Sequence, residues 1–435
     1  MADTFFNLLA FLDDLFWSYI GFTLVSLFGL FFTIKTRFFQ FKVLGQLKKT
    51  VVDLNEEAKI CTVGTHPLRL YFASVGGMVG LGNIVGVVTA ILIGGPGALF
   101  WLWIASFSGM LIKYSEIYLG MKYRVPNSRG GYDGGPMYYL EKAFGLKAIP
   151  LIAAVLLCIY GIEVSQFLIV TDSLSQTFSL NKTLVIGALL IAVIYSGLGG
   201  IKRLANICCV LMPTFMIIYV LMCLWVIGLN ASKIPDLLRI VFDGAFNGHA
   251  PLGGFVGSTF LMAAQNGVSR AVYSGDIGIG YDAIIQSESK SHYPERQARM
   301  AIFSIMTDGI VCTMSMMVIL ITGLWNVHTP MQASEYVAAA LGQYFPAIPY
   351  FMSIFFFLAG YTTIIAYFAV GLKSARFLWP RHGEKAYYVY ALFAFPFFAY
   401  FDQSKVFLMM TFSGGLLMMM NIAGIVKLRK EIKFK

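Results

Sequence analysis

Gly76-Gly77-Met78-Val79-Gly80-Leu81-Gly82-Asn83-Ile84-Val85-Gly86 lies midway through an apolar run from about Leu68 to Ile93. A run of that length can cross a bilayer. Its five glycines disfavour a continuous helix, at roughly 1 kcal/mol each relative to alanine. A membrane span cannot leave backbone N–H and C=O groups facing lipid. The stretch therefore predicts two half-helices and an unwound joint that faces a cavity or a ligand. Glycine permits close approach of a small molecule. The second half-helix would offer its N-terminal N–H groups to a carboxylate, and the freed carbonyls would suit a monovalent cation. Such a broken helix at mid-membrane marks a secondary transporter. Two blander readings compete. Membrane glycines also serve close helix packing. Gly80-Leu81-Gly82 also opens like a dinucleotide loop, but that loop needs a preceding strand in a soluble fold.

The rest of the composition favours the membrane. Of 435 residues, 58% are hydrophobic and 12% charged, too apolar for a soluble domain. The first basic residue is Lys35, which argues against a cleavable signal peptide and for a true first span. The net charge of +10 reads as membrane topology rather than nucleic-acid binding. The six cysteines show neither metal spacing nor a disulfide framework, and the five histidines are scattered.

Eleven spans are expected, at roughly 15–34, 68–92, 97–122, 149–174, 183–200, 205–228, 254–278, 297–324, 347–373, 385–401 and 405–427. With the 35–67 loop inside, only Lys182, Lys233, Arg239 and Lys405 of the 32 basic residues lie outside. That bias sets the N-terminus outside and the C-terminus in the cytoplasm. Segment 35–66 reads as an amphipathic helix at the lipid surface, 230–250 as an external loop, and 329–345 as an external piece with Pro330 before a short helix. After the first span, ten remain in two sets of five. The first of each set is glycine-interrupted, the second interruption being Gly267 to Gly280. Matched interruptions point to a binding site between inverted repeats. The expected division is 1–66, first helix and cytoplasmic linker; 67–229, first repeat; 230–253, external loop; 254–428, second repeat; and 429–435, basic tail.

Polar groups at membrane depth are functional candidates. Asn83 can offer oxygen to a cation or nitrogen to a carboxylate. Its alternative is a bond between helices. Lys113 and Glu116, at i and i+3 near the inner end of the third span, read as a local ion pair, with a gating role as the alternative. Glu163 and Gln166 share a helical face that could line the cavity opposite Asn83, or form a satisfied polar pair. Asp172 is expected to reach water at the outer end. Arg270 and Asp276 bracket the second interruption, where they would pair at the inner mouth or lie in a solvated loop. Asp308 is read as facing a cavity or a partner. Thr362 and Thr363 say little alone, since hydroxyls in membrane helices usually bond back to their own helix. No enzyme or ATP-binding signature is present, so an ion gradient must supply the energy.

Gly80-Leu81-Gly82-Asn83-Ile84-Val85-Gly86, Gly94-Gly95-Pro96-Gly97-Ala98, Lys113-Tyr114-Ser115-Glu116, Gly134-Gly135-Pro136-Met137-Tyr138-Tyr139 and Gly267-Val268-x-Arg270-x-Val272-Tyr273-Ser274, in that order, resemble the sodium:alanine (alanine/glycine:cation) symporter family of the amino acid-polyamine-organocation superfamily. The resemblance spans nearly the whole chain. It implies a sodium-coupled carrier of small neutral amino acids that works by alternating access. It also implies an all-α membrane fold with a five-plus-five inverted-repeat core, like the neurotransmitter:sodium symporters, and one extra N-terminal helix. Met78 and Leu81 stand where the family usually has hydroxyls, Gly275-Asp276 where it often has Asn-Glu, and Val170 where a polar residue is expected.

The resulting site has Gly80, Leu81, Gly82, Asn83, Gln166, Asn266 and Ser274 around the substrate. Gly76 and Val79 supply carbonyls and, by the resemblance, Thr362 and Thr363 supply hydroxyls to sodium. Glu163, Arg270, Asp276 and Asp308 are gating or proton-linked candidates. The expected partners are a small neutral amino acid, sodium and the lipid bilayer, with no organic cofactor and no nucleic acid, in a monomer of the bacterial inner membrane. A proton-coupled carrier using Glu163, Asp276 or Asp308 and a transport-inactive amino-acid sensor are the alternatives.

Overall fold

Pro67 at the first helical position, and the His66 ring nitrogen that accepts the Leu68 N–H at 3.3 Å, start the helix Pro67–Met78. In this computed structural model, which describes residues 2–248, 258–326, 331 and 333–435, that helix stops where the glycines begin to dominate. Val79 and Gly80 leave the helical region. A single turn, Leu81–Asn83, then leads into Val85–Gly94. The two arms form one apolar span bent by 58°.

Helices occupy all the other expected positions, with shifted ends. Among the described residues, seven are individually long and apolar enough to cross a membrane, and the bent pair makes an eighth. Lys182–Leu198 is a shorter apolar helix. The first span begins well before residue 15: Ala2–Leu15, a wide turn Phe16–Gly21 and Phe22–Lys35 run on from one another. The expected surface helix is split into Phe39–Leu44 and Leu47–Ile60. The fourth expected span is itself broken. Ala148–Tyr160 and Val164–Phe178 meet at Gly161–Glu163, and Glu163 takes a left-handed backbone at φ 48°. That conformation is uncommon for a residue with a long side chain and marks local strain.

The second interruption also falls later than the glycine count suggests. Thr259 caps Phe260–Gly275 through the Met262 N–H at 3.2 Å. The helix continues through Gly267 and Arg270, because Gly267 serves close packing there. A Cβ on Gly267 would lie 2.4 Å from the Ala98 carbonyl. The break is Asp276–Gly280, with Asp276, Gly278 and Gly280 all at positive φ, before Tyr281–Ser287. The end of the expected 230–253 loop, the start of the 254–278 span and Pro330 lie outside the described residues.

Burial separates inner from outer helices. In Ile348–Leu378, 78% of the most apolar window is buried, against 33% in Gly200–Leu229. The first therefore passes through the centre and the second faces lipid. On the side of the basic loops, the hairpin Val125–Pro126 with Tyr132–Asp133 is tied down by Lys373. Its ammonium reaches Asp133 at 3.1 Å and Glu288 at 2.8 Å.

Candidate substrate and cation site

The first break redistributes its own hydrogen bonds. In an unbroken helix the Gly80 N–H would bond to the Gly76 carbonyl, and the Leu81 N–H to Gly77. Here Gly80 N–H donates to Met78 O at 3.0 Å and Asn83 Oδ1 at 3.1 Å, while Leu81 N–H donates to Gln166 Oε1 at 3.1 Å. The carbonyls of Gly76 and Gly77 are thereby released from the helix ladder. The Asn83 N–H returns to Gly80 O at 3.3 Å. Gly82 borders both central cavities, so its N–H is the one best placed to meet a ligand.

Two cavities meet at Gly82 and Gln166. The inner one, of ≈20 Å³, is lined by Met78, Tyr160, Glu163, Tyr273, Ser274, Thr363 and Tyr367 among others. It has room for about one water. The other, of ≈650 Å³, extends from Leu81 and Gly82 past Arg270 and Phe407 to Asp402–Ser404, at the end of the last helix remote from the basic tail. A substrate can therefore reach the break from that side.

Asn83 is fully buried, and its amide is spent inside the protein. Its Nδ2 donates to Asp308 Oδ1 at 2.5 Å and lies 3.2 Å from Cys312 Sγ. The other Asp308 oxygen accepts Ser274 Oγ at 3.1 Å. One carboxylate on Met300–Thr322 thus joins the first break to the helix that leads into the second. Burying it is tolerable because both oxygens are satisfied. Asn266 sits elsewhere: its amide donates to Met262 O at 2.9 Å and it packs against Gly94, outside the lining of either cavity.

On the other side of the joint, Thr363 Oγ1 lies 3.4 Å from the released Gly76 carbonyl and 3.1 Å from Ala359 O. Thr362 Oγ1 bonds to Ala359 O at 2.9 Å. Both threonines are buried. Gly76, Ala359, Thr362 and Thr363 thus bring together neutral oxygens with no formal charge, a donor set that fits a monovalent cation. Val79 stands at the joint beside them. Ala359 escaped the sequence reading. Its signal is that a hydroxyl pair bonds back to the carbonyl three or four residues earlier.

The expected pairs at the inner mouth are not those formed. Arg270 points into the larger cavity, stacked over Phe407 at 5.2 Å, and makes no ion pair with Asp276 among the described residues. Lys113 does not pair with Glu116. Its ammonium reaches Gly275 O at 2.6 Å, Asp282 at 2.9 Å, Met78 Sδ at 3.0 Å and Asp276 at 3.9 Å. The reason is the helix end. The last carbonyls of Phe260–Gly275 lack donors of their own, and the ammonium supplies one. Tyr367 donates to Asp276 Oδ1 at 3.0 Å and stacks on Tyr281 at 4.5 Å between ring centroids. Tyr281 in turn donates to Ala73 O at 2.7 Å and lies against Gly77, where a Cβ would be 2.0 Å from its hydroxyl. No side chain but hydrogen fits at residue 77 with this path closed. Asp172 pairs with Lys182 at 2.6 Å and is partly exposed.

Comparison with known proteins identifies the family and the fold. The sodium:alanine symporter family matches residues 2–434. A Haemophilus influenzae protein described only as an uncharacterized transporter is 32% identical, over 98% of this chain and 94% of its own length. The sodium/alanine symporter AgcS of Methanococcus maripaludis is 28% identical, over 84% of this chain and 82% of its own. Among solved structures, MhsT in complex with L-phenylalanine covers 82% of this chain and 89% of its own with a TM-score of 0.57, at 15% identity. That likeness concerns the fold. The chain belongs to the sodium:alanine symporter family, and is a multi-pass membrane transporter rather than an enzyme.

Proposed function

We propose that this protein is a sodium-coupled symporter of small neutral amino acids, with two inverted five-helix repeats working by alternating access. The observation that carries the reading is the bent span itself. One end of its joint presents Gly82 to a cavity, and the other presents the Gly76 carbonyl to Thr363. The substrate carboxylate would take the Gly82 N–H at the start of the second half-helix, where the dipole favours an anion. Gln166 would fix the turn by holding the Leu81 N–H. The ammonium would face Glu163, whose Oε2 has no hydrogen-bond partner among the described residues although the residue is buried beside the inner cavity. The ≈20 Å³ left among Met78, Tyr273 and Tyr367 supports a small side chain, since a larger one would have to displace these rings. Sodium would sit among Gly76, Val79, Thr362, Thr363 and Ala359. The bias of the basic loops supports an N-terminus outside, a cytoplasmic C-terminus, and hence entry to the ≈650 Å³ cavity from outside.

Uptake of labelled alanine, glycine and serine into proteoliposomes, with and without a sodium gradient, tests this reading. Sodium-dependent uptake is expected. Uptake driven by a pH gradient alone would replace sodium with protons, and binding without uptake would make the protein a sensor. Gly82→Val is expected to abolish substrate binding while the protein still inserts and folds. A first added carbon clears Tyr273 at 3.5 Å, so the fold tolerates it, but the branches enter the space the ligand needs. Normal uptake by this variant would move the carboxylate elsewhere.

A further inference from the structure

The transport reading gives Arg270 no role, although its guanidinium stands in the wall of the ≈650 Å³ cavity through which substrate would arrive. Its Nε is buried without a hydrogen-bond partner, and the side chain makes no hydrogen bond or ion pair among the described residues. The guanidinium carbon lies 5.2 Å from the centre of the Phe407 ring. A cation on an aromatic face is held in place there, but the ring accepts none of the N–H groups at the edge of the guanidinium plane. On its other side is the second half-helix of the first break. A Cβ on Gly86 would lie 3.8 Å from Nη1 and 3.9 Å from Cδ of Arg270. Gly86 is one turn beyond Gly82, so the guanidinium stands beside the same helix start that offers the Gly82 N–H. Two carboxylates, Asp13 of the first helix and Asp402 at the start of the last, line the same cavity. Asp402 caps the Lys405 N–H at 3.0 Å, and Asp13 lies within electrostatic range of Arg270 without pairing with it among the described residues.

A guanidinium fork and a helix start both attract anions, and here they meet in one cavity wall. The planar fork matches a carboxylate, which takes two parallel N–H bonds from it. Every amino acid carries such a group. We propose that Arg270 forms an outer docking subsite for the carboxylate of an amino acid, ahead of the inner site at Gly82. The inference rests on the proposed arrival of amino acids through this cavity. The ammonium of the docked molecule then shares the cavity with Asp13 and Asp402, whose charge favours it. The two subsites select differently. At ≈20 Å³ the inner cavity excludes a large side chain while its rings stay in place, whereas the ≈650 Å³ cavity accepts one. A large neutral amino acid such as leucine therefore docks at Arg270 and blocks the entrance without being carried.

The test is titration calorimetry of the purified, full-length protein in detergent with two probes, leucine and leucinamide, which lacks the carboxylate. The parent should bind leucine about ten- to a hundredfold more tightly than leucinamide, the ratio expected for a charge-assisted pair. Arg270→Gln should erase that preference. Gly86→Asp should erase it as well with the arginine retained, because it sets a carboxylate of the protein against Nη1. Equal binding of the two probes by the parent, or a preference for leucine that survives in either variant, overturns the subsite. In proteoliposomes, leucine on the side of the cavity mouth should slow uptake of labelled alanine without itself accumulating. Accumulation of leucine, or no slowing, overturns the separate outer subsite. The calorimetry needs no transport, so the two readings fail separately. Carboxylate-dependent leucine binding without any alanine uptake retires only the symport assignment, and normal alanine uptake with equal binding of the two probes retires only the subsite.

Discussion

Replacing Lys113 by methionine is expected to cost about 3–5 kcal/mol of stability, the largest loss of any single change considered for this protein. The ammonium offsets two fully buried carboxylates and donates to Gly275 O and Met78 Sδ. Without it, Asp282 has no ion-pair partner among the described residues and the end of Phe260–Gly275 loses its donor. Methionine has similar length, so the loss reports charge and hydrogen bonding rather than a cavity. The measurement is thermal unfolding of the purified protein in detergent, together with uptake. The double variant Lys113→Met with Asp282→Asn should recover part of the loss, since both charges then go together. A single variant that melts with the parent would mean that the cluster is already neutral without Lys113, or that water reaches it. Met78 gains meaning here. It is a soft acceptor that joins the first break to Lys113.

Thr363→Val is the second large effect expected, and it is confined to the cation. Valine keeps the shape of threonine but removes the oxygen that faces Gly76 O and Ala359 O. A buried cation left one ligand short should bind ~1–3 kcal/mol more weakly, or about 5–150-fold. The sodium concentration for half-maximal uptake should rise by that factor, while uptake at saturating sodium is largely kept. Thr363→Ser should stay near the parent. If Thr363→Val retains the parental sodium dependence, the cation is held elsewhere, and Asn83 with Asp308 becomes the next pair to test. The geometry also explains Gly80. A Cβ there would stand 2.5 Å from Thr363 Oγ1, so any side chain at residue 80 would displace the hydroxyl.

The two breaks do not act as separate features. Asp308 holds Asn83 on one side and Ser274 on the other, and Lys113 reaches from Met78 to Gly275 and Asp282. A change at the first joint is therefore felt at the second through two short polar links, one on the side of Met300–Thr322 and one towards the basic loops. With Tyr281, Tyr367 and Lys373 in place the basic side is shut, while the ≈650 Å³ cavity leads to the other.

The sequence by itself determined the membrane class, the position of the first break and the family resemblance. These depend on local chemistry. Glycines at Gly76, Gly77, Gly80 and Gly82 weaken the helix wherever the chain is placed, and long apolar runs demand lipid or a large core. The second break was legible in kind but not in place. Gly267 and Gly275 look alike in sequence, yet Gly267 is consumed by contact with Ala98, and only Asp276–Gly280 unwinds. The break at Gly161–Glu163 gave one glycine as its only local sign. Tertiary structure alone decided where each polar side chain points. Lys113 is three residues from Glu116, but it is drawn across to an orphan helix end and to Asp282. Asn83 turns from the cavity to Asp308, Arg270 and Asp276 part company, and Asn266 bonds to its own helix. In a low-dielectric interior each buried polar group takes the partner that satisfies it best, and that partner can lie far away in the chain, 225 residues for Asn83 with Asp308 and 287 for Thr363 with Gly76.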